Sequence, residues 1–424
     1  MNGLITIDHQ HDEIEALLLD SPGLKTAFAD TLALIYPKAV RDTCRGTGLP
    51  ETEVPAACPY RLDRIVYPSF LPDGLDRSSP WALALTPWPP AATTAADTQR
   101  NPKGWKLMQV ANDIDLCAVA TITVTYNPDP EPLRLQLDGL PAEVQKIVVD
   151  NASQAAVLQH IEALVAATPN TRLLRNESNL GLAAAVNRGA RTAREQIPHT
   201  RLLLLLDQDS EPQPGSVQAL VQGFAELERQ GEQVGCVGPL LLDSDTGLSH
   251  GFHQAISWRW QRAYPPPGSA KAVPCANLNG SGTLVPIELF LQLGGLDEAL
   301  FIDHVDTEWS FRVLAADLGL RGIPAAVFKH RMGQSSVRYW LLGWRIWPSR
   351  SPQRHYFLFR NAVLLMRRPY VPRVWKFWAV VKLALTAIMH GLFDRERRAQ
   401  WRQMRQGVRE GLRVTSTPPS CRMQ

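Results

Sequence analysis

The stretch Arg201-Leu-Leu-Leu-Leu-Leu-Asp207-Gln-Asp-Ser210 decides the fold. Five consecutive leucines, Leu202 to Leu206, leave no polar face, so they read as a strand buried on both sides. The run stops at the polar turn Asp207-Gln208-Asp209-Ser210. Similar units recur outward from it. Val119 to Thr125 is rich in β-branched residues and ends at Asn127-Pro128. Lys146 to Val149 is a short strand stopped by Asp150-Asn151, and Thr171 to Arg175 is a third. Helices are expected at Pro132 to Asp138, Val157 to Ala166, the alanine-rich Leu182 to Gln196, and Pro212 to Leu227. Strands ending near 125, 149, 175 and 206 form a βα repeat. Such a repeat predicts an α/β fold, a parallel sheet covered by helices on both faces. Ligands of these sheets bind at the carboxyl ends of the strands.

Each strand delivers polar groups to that edge. Thr125-Tyr126-Asn127 follows the first, Asp150-Asn151-Ala152-Ser153 the second, Asn176 to Gly181 the third and Asp207-Gln208-Asp209 the fourth. Asp207-x-Asp209 is the sharpest signal. Carboxylates held on a short turn suit magnesium or manganese, whose remaining ligands a diphosphate can supply. The alternative is a turn whose acids cap the following helix. Asp150 can accept a ring N–H from a pyrimidine base, or cap a turn. Asn179-Leu-Gly181 opens a helix, where free N–H groups favour an anion. Neither GxGxxG after the first strand nor GxxxxGK[ST] is present, which argues against a dinucleotide fold and excludes a standard P-loop.

Further on, five acids fall within the sixteen residues from Asp297 to Arg312. Asp306 and Trp309 are three apart, so one side of a helix start would carry both. A carboxylate beside an aromatic and a bound diphosphate has a raised pKa and can act as a general base. A solvated acidic helix start is the alternative. His330 follows the apolar segment Ile323 to Phe328, where an imidazole is either structural or a further metal or diphosphate contact.

The chain has 424 residues, 20 % charged and 45 % apolar, which excludes wholesale disorder. Its six cysteines include no CxxC pair, so neither a disulfide framework nor a thiolate zinc site is expected. Met1 to Asp20 carries acids where a signal peptide would carry a basic and then an apolar stretch. The formal net charge of +3 hides an asymmetry. Arg331 to Arg413 holds 18 Lys/Arg against 3 acids, whereas the first 330 residues hold 25 basic and 38 acidic residues. A basic, Trp-rich tail on an acidic body implies an anionic partner. Tyr339, Trp344, Trp347, Trp375, Trp378 and Trp401 interleave with Arg345, Arg350, Arg367, Arg368, Arg373 and Lys376, a mixture suited to an anionic membrane surface. Phe377 to Phe393 falls short of the ~20 residues a span requires, so an interfacial helix is expected. The tail lacks a nucleic-acid motif and the body is acidic, so no nucleic acid is expected. Four regions result: a small helical segment over 1–75, a Pro/Ala-rich linker over 76–115, the α/β domain over 116–335 and a basic, aromatic helical region over 336–424. The sequence carries no signal for an oligomeric state.

Several of these stretches together resemble the ordered motifs of family 2 glycosyltransferases. They are Val124-Thr-Tyr-Asn-Pro-Asp129, Val149-Asp-Asn-Ala-Ser153, Asn179-x-Gly181-x-Ala183, Leu206-Asp-Gln-Asp-Ser210, Phe301-Ile-Asp-His-Val-Asp-Thr-Glu-Trp309 and His330-x-x-Gly333. Asp-Gln-Asp-Ser, the Phe301 to Trp309 run and Arg354-His-Tyr-x-x-x-Arg360-Asn361 resemble the bacterial rhamnosyltransferase branch, which builds O-antigens and related surface polysaccharides. The resemblance covers about 118–370 and implies a GT-A fold. It also implies an inverting, Mg2+- or Mn2+-dependent transfer from a nucleotide sugar, dTDP-L-rhamnose, to a glycan or lipid-linked acceptor. On it, Thr125, Tyr126 and Asp150 hold the nucleoside, and Asn179 and Arg188 lie near base and phosphates. Asp207 sits by ribose and phosphates, Asp209 and His330 contact the metal, and Asp306 is the base. Val305 replaces the first acid of the family's Glu-Asp pair. Ser281, Gly282, Glu308 and Trp309 are expected on the acceptor side; at Leu278 to Gly282 relatives often show Ser-Ser-Gly. The implied location is cytoplasmic, peripheral on the inner face of the bacterial cell membrane. A non-catalytic nucleotide-sugar or glycan-binding module of the same fold is the competing reading, against which Asp207, Asp209 and Asp306 speak. Residues 1–75 resemble half of a bacterial domain-of-unknown-function family, number 29 in its series, and are expected to have no catalytic role.

Overall fold

The computed structural model describes residues 115–244, 246–330, 336–340, 344–348 and 350–414. The segment expected over 1–75 lies outside the described residues, as do the linker up to 114, Gly333, and the side chains of Tyr339, Trp344, Arg345 and Trp347. Strands β1 (Val119–Thr125), β2 (Gln145–Asp150), β3 (Thr171–Arg175) and β4 (Leu202–Asp207) run parallel in the spatial order β3-β2-β1-β4. Helices α1 (Pro130–Gly139), α2 (Ala155–Ala167) and α3 (Leu182–Gln196) connect them.

The leucine run is buried on both faces. Leu203 and Leu205 join Ile122, Val149 and Ala190 on the α3 side, while Leu202, Leu204 and Leu206 meet residues of α4 (Ser216–Arg229), including Leu220 and Phe224. Fully burying a leucine contributes about 2 kcal/mol, so this strand anchors the sheet. Helix α3 is alanine-rich because it lies close to β1; a Cβ at Gly189 would come within 2.7 Å of the Ile122 Cγ2. Such close packing leaves no room for larger side chains.

The sheet is mixed, which corrects the expectation of a parallel one. After β5 (Glu211–Pro212), α4 and β6 (Val234–Asp243) come the hairpin β7 (Phe252–Ile256) and β8 (Arg259–Ala263), then β9 (Val273–Cys275). Strand β10 (Thr283–Pro286) then enters antiparallel between β4 and β6, with Thr283 opposite Leu205. It starts at the edge where the parallel strands end, so the turn 279–282 lies on that edge. Helices α5 (Ile287–Gln292) and α6 (Val305–Ala315) lead to β11 (Gly319–His330), which pairs parallel with β6. Asp243 and His330 therefore open on the same rim as Asp207. The helix expected from Pro212 begins only at Ser216, because Glu211 and Pro212 pair with Lys329 and Phe328 of β11. Its N-cap is Gly215 rather than an aspartate.

Beyond a short hairpin, β12 (Ser336–Trp340) and β13 (Trp344–Pro348), lie α7 (Pro352–Met366), α8 (Arg373–Phe393) and α9 (Arg397–Arg413). Helix α8 has 21 residues, four more than the sequence segment suggested, because Arg373 to Lys376 continue it towards Pro372. By length and composition alone it is long and apolar enough to cross a membrane, a correction to the length argument. Its Trp375 packs edge-on to Phe311 of α6 at 5.5 Å, and Trp378 Nε1 donates to the Trp258 carbonyl at 3.3 Å. Helix α9 lies close on α7, where a Cβ at Gly407 would come within 2.4 Å of the Tyr356 carbonyl oxygen.

Candidate active site

The rim formed by β1 to β4 is stitched loop to loop. At the end of β1 the Thr125 hydroxyl donates to Asp150 Oδ1 at 3.1 Å. Asp150, at the end of β2, also accepts from the Ser153 amide at 2.9 Å and its hydroxyl at 2.5 Å. Asn151 donates to Asn179 Oδ1 at 2.9 Å and accepts from Asn176 Nδ2 at 2.9 Å and the Leu180 amide at 3.0 Å, tying the β2 and β3 loops together. Tyr126 is half exposed, and its amide donates to Gln208 Oε1 at 2.9 Å, joining the β1 and β4 loops. Arg188 sits in α3 and donates to the Arg175 carbonyl at 2.7 Å and to Asn176 Oδ1, so its guanidinium secures the end of β3.

The Asp207–Ser210 turn is fixed from beneath by Gln136, a fully buried residue of α1. Gln136 Nε2 donates to the carbonyls of Asp207 (2.5 Å) and Ser210 (2.8 Å), and its Oε1 accepts from Thr123 at 2.7 Å. The Asp207 amide donates to Ser210 Oγ at 3.1 Å. None of these bonds uses the Asp207 or Asp209 carboxylate. Asp207 Oδ2 accepts from the buried Ser281 hydroxyl, which lies 3.4 Å from His330 Nδ1. His330 Nδ1 in turn is 3.2 Å from Asp209 Oδ1. Burial alone would lower the His330 pKa. The Asp209 hydrogen bond and the charges of Asp207, Asp209 and Asp243 outweigh it, and the pKa is raised.

Asp306 opens α6 against the same turn. Its carboxylate accepts from the Thr307 amide at 2.8 Å and from the Gly280 backbone. Burial pushes its pKa up to about 6; those backbone donors oppose the rise, and the neighbouring Asp207 and Asp303 charges add to it. Gly280-Ser281 thus joins Asp306 to the carboxylate and imidazole group in one cleft. Gly282 adopts φ +95, and a Cβ there would strike Pro239, so its role is to turn the chain into β10.

Two expected acceptor-side residues face elsewhere. Glu308 is fully buried, with Arg312 Nη2 at 2.6 Å, Arg368 Nη1 at 3.1 Å and the Tyr370 hydroxyl at 2.6 Å. Trp309 packs on Phe290 at 5.0 Å beneath the Arg312 guanidinium. Glu308, two positions on, points away from the face that carries Asp306, whereas Trp309, three positions on, shares that side of the helix but buries its ring against Phe290. The sequence reading missed Gln136, Gln208 and Asp303. A glutamine between Leu133 and Leu137 on the apolar face of α1 was the available signal for the first.

Among the described residues no group of three or more His, Cys, Asp or Glu side chains is preassembled to hold an ion. Asp209 and His330 offer two ligands, with Asp207 one hydroxyl away. That set fits Mg2+ or Mn2+, which take one or two protein ligands alongside substrate phosphates and water. The raised His330 pKa reflects the same excess of negative charge.

Sheet and rim together form a mixed α/β sheet with its polar turns gathered along one edge. Residues 122–265 match the family model described as Glycosyl transferase family 2, a span from within β1 to just past β8. Over that span the chain is similar to family 2 glycosyltransferases. Residues 3–71 match a second model, a domain of unknown function, DUF29. The chain is 29 % identical over 238 residues to the dTDP-rhamnosyl transferase RfbF of Shigella flexneri, covering 55 % of this chain and 75 % of that one. It is 28 % identical over 218 residues to the N-acetylglucosaminyl-diphospho-decaprenol L-rhamnosyltransferase of Mycobacterium tuberculosis, covering 46 % of this chain and 69 % of that one. Among solved structures, GalNAc-T7 with UDP, GalNAc and Mn2+ aligns at TM-score 0.43 and 18 % identity, covering 67 % of this chain and 58 % of that one. S. aureus TarS 1-349 aligns at TM-score 0.42 and 14 % identity, covering 69 % and 80 %.

Proposed function

We propose that the protein is an inverting, divalent-metal-dependent rhamnosyltransferase that moves L-rhamnose from dTDP-L-rhamnose to a glycan or lipid-linked saccharide in cell-surface polysaccharide synthesis. One observation carries the reading: the Asp306 carboxylate, raised to about 6, stands across the Gly280–Ser281 turn from Asp207. A pKa near 6 leaves it ionised at neutral pH yet basic enough to take a proton from an attacking hydroxyl. The name of the Shigella relative supports a dTDP-linked rhamnosyl donor, and that of the Mycobacterium relative supports L-rhamnose as the transferred sugar.

In this reading Thr125 and Asp150 flank the nucleoside, with Tyr126 and Asn179 at the exposed lip. Asp207 lies at ribose and phosphates, and Asp209 with His330 would hold Mg2+ or Mn2+. A bound metal ion neutralises the charge that develops on the departing diphosphate. The acceptor hydroxyl attacks the anomeric carbon from the face opposite the leaving group while Asp306 accepts its proton. The bond to the diphosphate breaks, the glycosidic bond forms, and the configuration inverts, by the two-face geometry of inverting hydrolases with a sugar hydroxyl in place of water.

The C-terminal region supports a peripheral place on the cytoplasmic face of the membrane. Phe377, Leu392, Phe393 and Trp401 are exposed, and so are Arg395, Arg397, Arg398, Arg402 and Arg405. Rings and cations so mixed suit anionic headgroups, each arginine contributing about 1 kcal/mol near the surface. Because α8 buries Trp375 and Trp378 against the catalytic domain, we read it as lying on the bilayer rather than crossing it. Co-sedimentation with phosphatidylglycerol vesicles, weakened by salt and absent with neutral phosphatidylcholine vesicles, is expected. Equal binding to both would count against this reading.

A screen of nucleotide sugars with purified protein and Mn2+ or Mg2+, following nucleoside diphosphate release, tests the function. Turnover with dTDP-L-rhamnose is expected, and chelation of the metal should abolish it. Turnover only with UDP-hexoses would overturn the sugar assignment.

A further inference from the structure

We propose that Asp303 and Asn361 are positioning residues for the transfer step, holding the turn Phe301–His304 in the one shape that aims Asp306 into the cleft. The proposal rests on Asp306 being the base. Phe301, Asp303 and His304 have φ of +62°, +63° and +61°. L-residues rarely adopt such angles, and they persist only where the surroundings over-determine them. Helix α6 begins at the next residue, so the shape of this turn sets the direction from which Asp306 enters the site.

The surroundings come from a distant part of the chain. Asn361 of α7 is fully buried, and its Nδ2 lies 2.7 Å from the carbonyl oxygens of Leu300 and Ile302 and 2.9 Å from that of Asp303. Arg350 Nη1 and Arg354 Nε reach the Asp303 carboxylate at 2.9 and 2.8 Å. Arg360 donates to the Ala299 carbonyl, and Phe357 stacks on Phe301 at 4.9 Å. From the donor side the turn is joined by the Leu182 amide, which donates to the Phe301 carbonyl at 2.7 Å. Asp303 is almost fully buried. Burial alone would raise its pKa, but Arg354 and Arg350 hold it below the usual carboxylate range, so it stays charged and draws both arginines onto the turn. Residues 350–361, well outside the segment that matches the family model, are therefore part of the transfer machinery and not only of a membrane-facing tail.

The test uses full-length Asn361→Ala and Asp303→Asn. For each, kcat and KM for nucleoside diphosphate release, the Kd for dTDP, and amide exchange over residues 302–308 are measured. We expect kcat to fall about 100-fold in Asn361→Ala, the scale of a small misplacement of a reacting group. We expect donor KM and dTDP affinity to stay within about twofold, because the interaction acts on the transition state and not on donor binding. Exchange over 302–308 should accelerate. In Asp303→Asn the acid limb of the kcat profile should also move to lower pH, since losing a nearby carboxylate and releasing two arginines favours ionised Asp306. A kcat within about twofold of wild type in both variants, or dTDP affinity lost in step with kcat, would overturn the proposal. If the wild-type protein turns over no nucleotide sugar, the functional reading fails separately. The exchange data then decide: unchanged protection in both variants sinks the clamp.

Discussion

The half of the rim built by β1 to β4 and the half that carries Asp306 are assembled in different ways. In the first half each polar turn directly follows its own strand, and neighbouring turns bond to one another, as Thr125 does to Asp150 and Asn151 to Asn176. Local sequence and sheet order suffice to create it. In the second half the turn before Asp306 places three left-handed residues, Phe301, Asp303 and His304, within four positions, and its partners lie about 50 to 60 positions further along the chain. The rim of β1 to β4 is therefore held within the sheet's own loops and by Gln136 of α1 beneath it, whereas the turn before Asp306 depends on the C-terminal helices.

The largest expected effect tests the base side at its centre. Asp306→Asn should lower kcat by about 1,000-fold, within the range for a lost general base, while dTDP affinity is retained. Loss of nucleotide binding in that variant would erase the distinction between the two halves. Glu308→Ala should act on the same helix in another way. Removing one partner of a buried ion pair costs about 3–5 kcal/mol, so the protein should lose stability by that order with acceptor KM unaffected in the folded fraction. A selective rise in acceptor KM would instead return Glu308 to the acceptor side.

The donor side can be broken from beneath. Gln136→Ala removes the support of the Asp207–Ser210 turn and should weaken Mn2+ activation about 10- to 100-fold, as loss of supporting hydrogen bonds around a metal site does. Titrating activity against Mn2+ measures it; an unchanged activation constant would mean that the turn holds its own shape. The smallest effect concerns stability. Asp306 has its pKa raised to about 6 from the ordinary aspartate value of 3.8, so its stabilising contribution is present in full below about pH 4 and is lost as pH rises through about 6. At pH 8 the buried charge costs at most about 3 kcal/mol. Asp306→Asn should therefore melt at a higher temperature than wild type at pH 8 without metal or donor, and the difference should vanish near pH 4. Equal melting temperatures at both pH values would mean that the carboxylate is not under strain.

The same contrast governs what could be read from the sequence. Thr171–Arg175 and Leu182–Gln196 fall where their composition put them. The leucine run is a central strand whose alternate residues fill two separate cores. A strand of Thr283 to Pro286 running against its neighbours could not be seen, because four residues carry no periodic signal and their direction is set by tertiary insertion. Asp306, Glu308 and Trp309 look alike as parts of one motif. Only the start of α6 and its packing separate an acid in the cleft from an acid buried between arginines. Gln136 and Asn361 are single polar residues on buried helix faces, and their backbone partners are distant in sequence.

A crystal structure with dTDP and Mn2+ tests the central claim most directly. The account predicts a single anomalous manganese peak held by Asp209 and His330, the diphosphate beside it, and the Asp306 carboxylate facing it across the cleft. Manganese or nucleotide bound away from these residues, or Asp306 opening to a different surface, would contradict it.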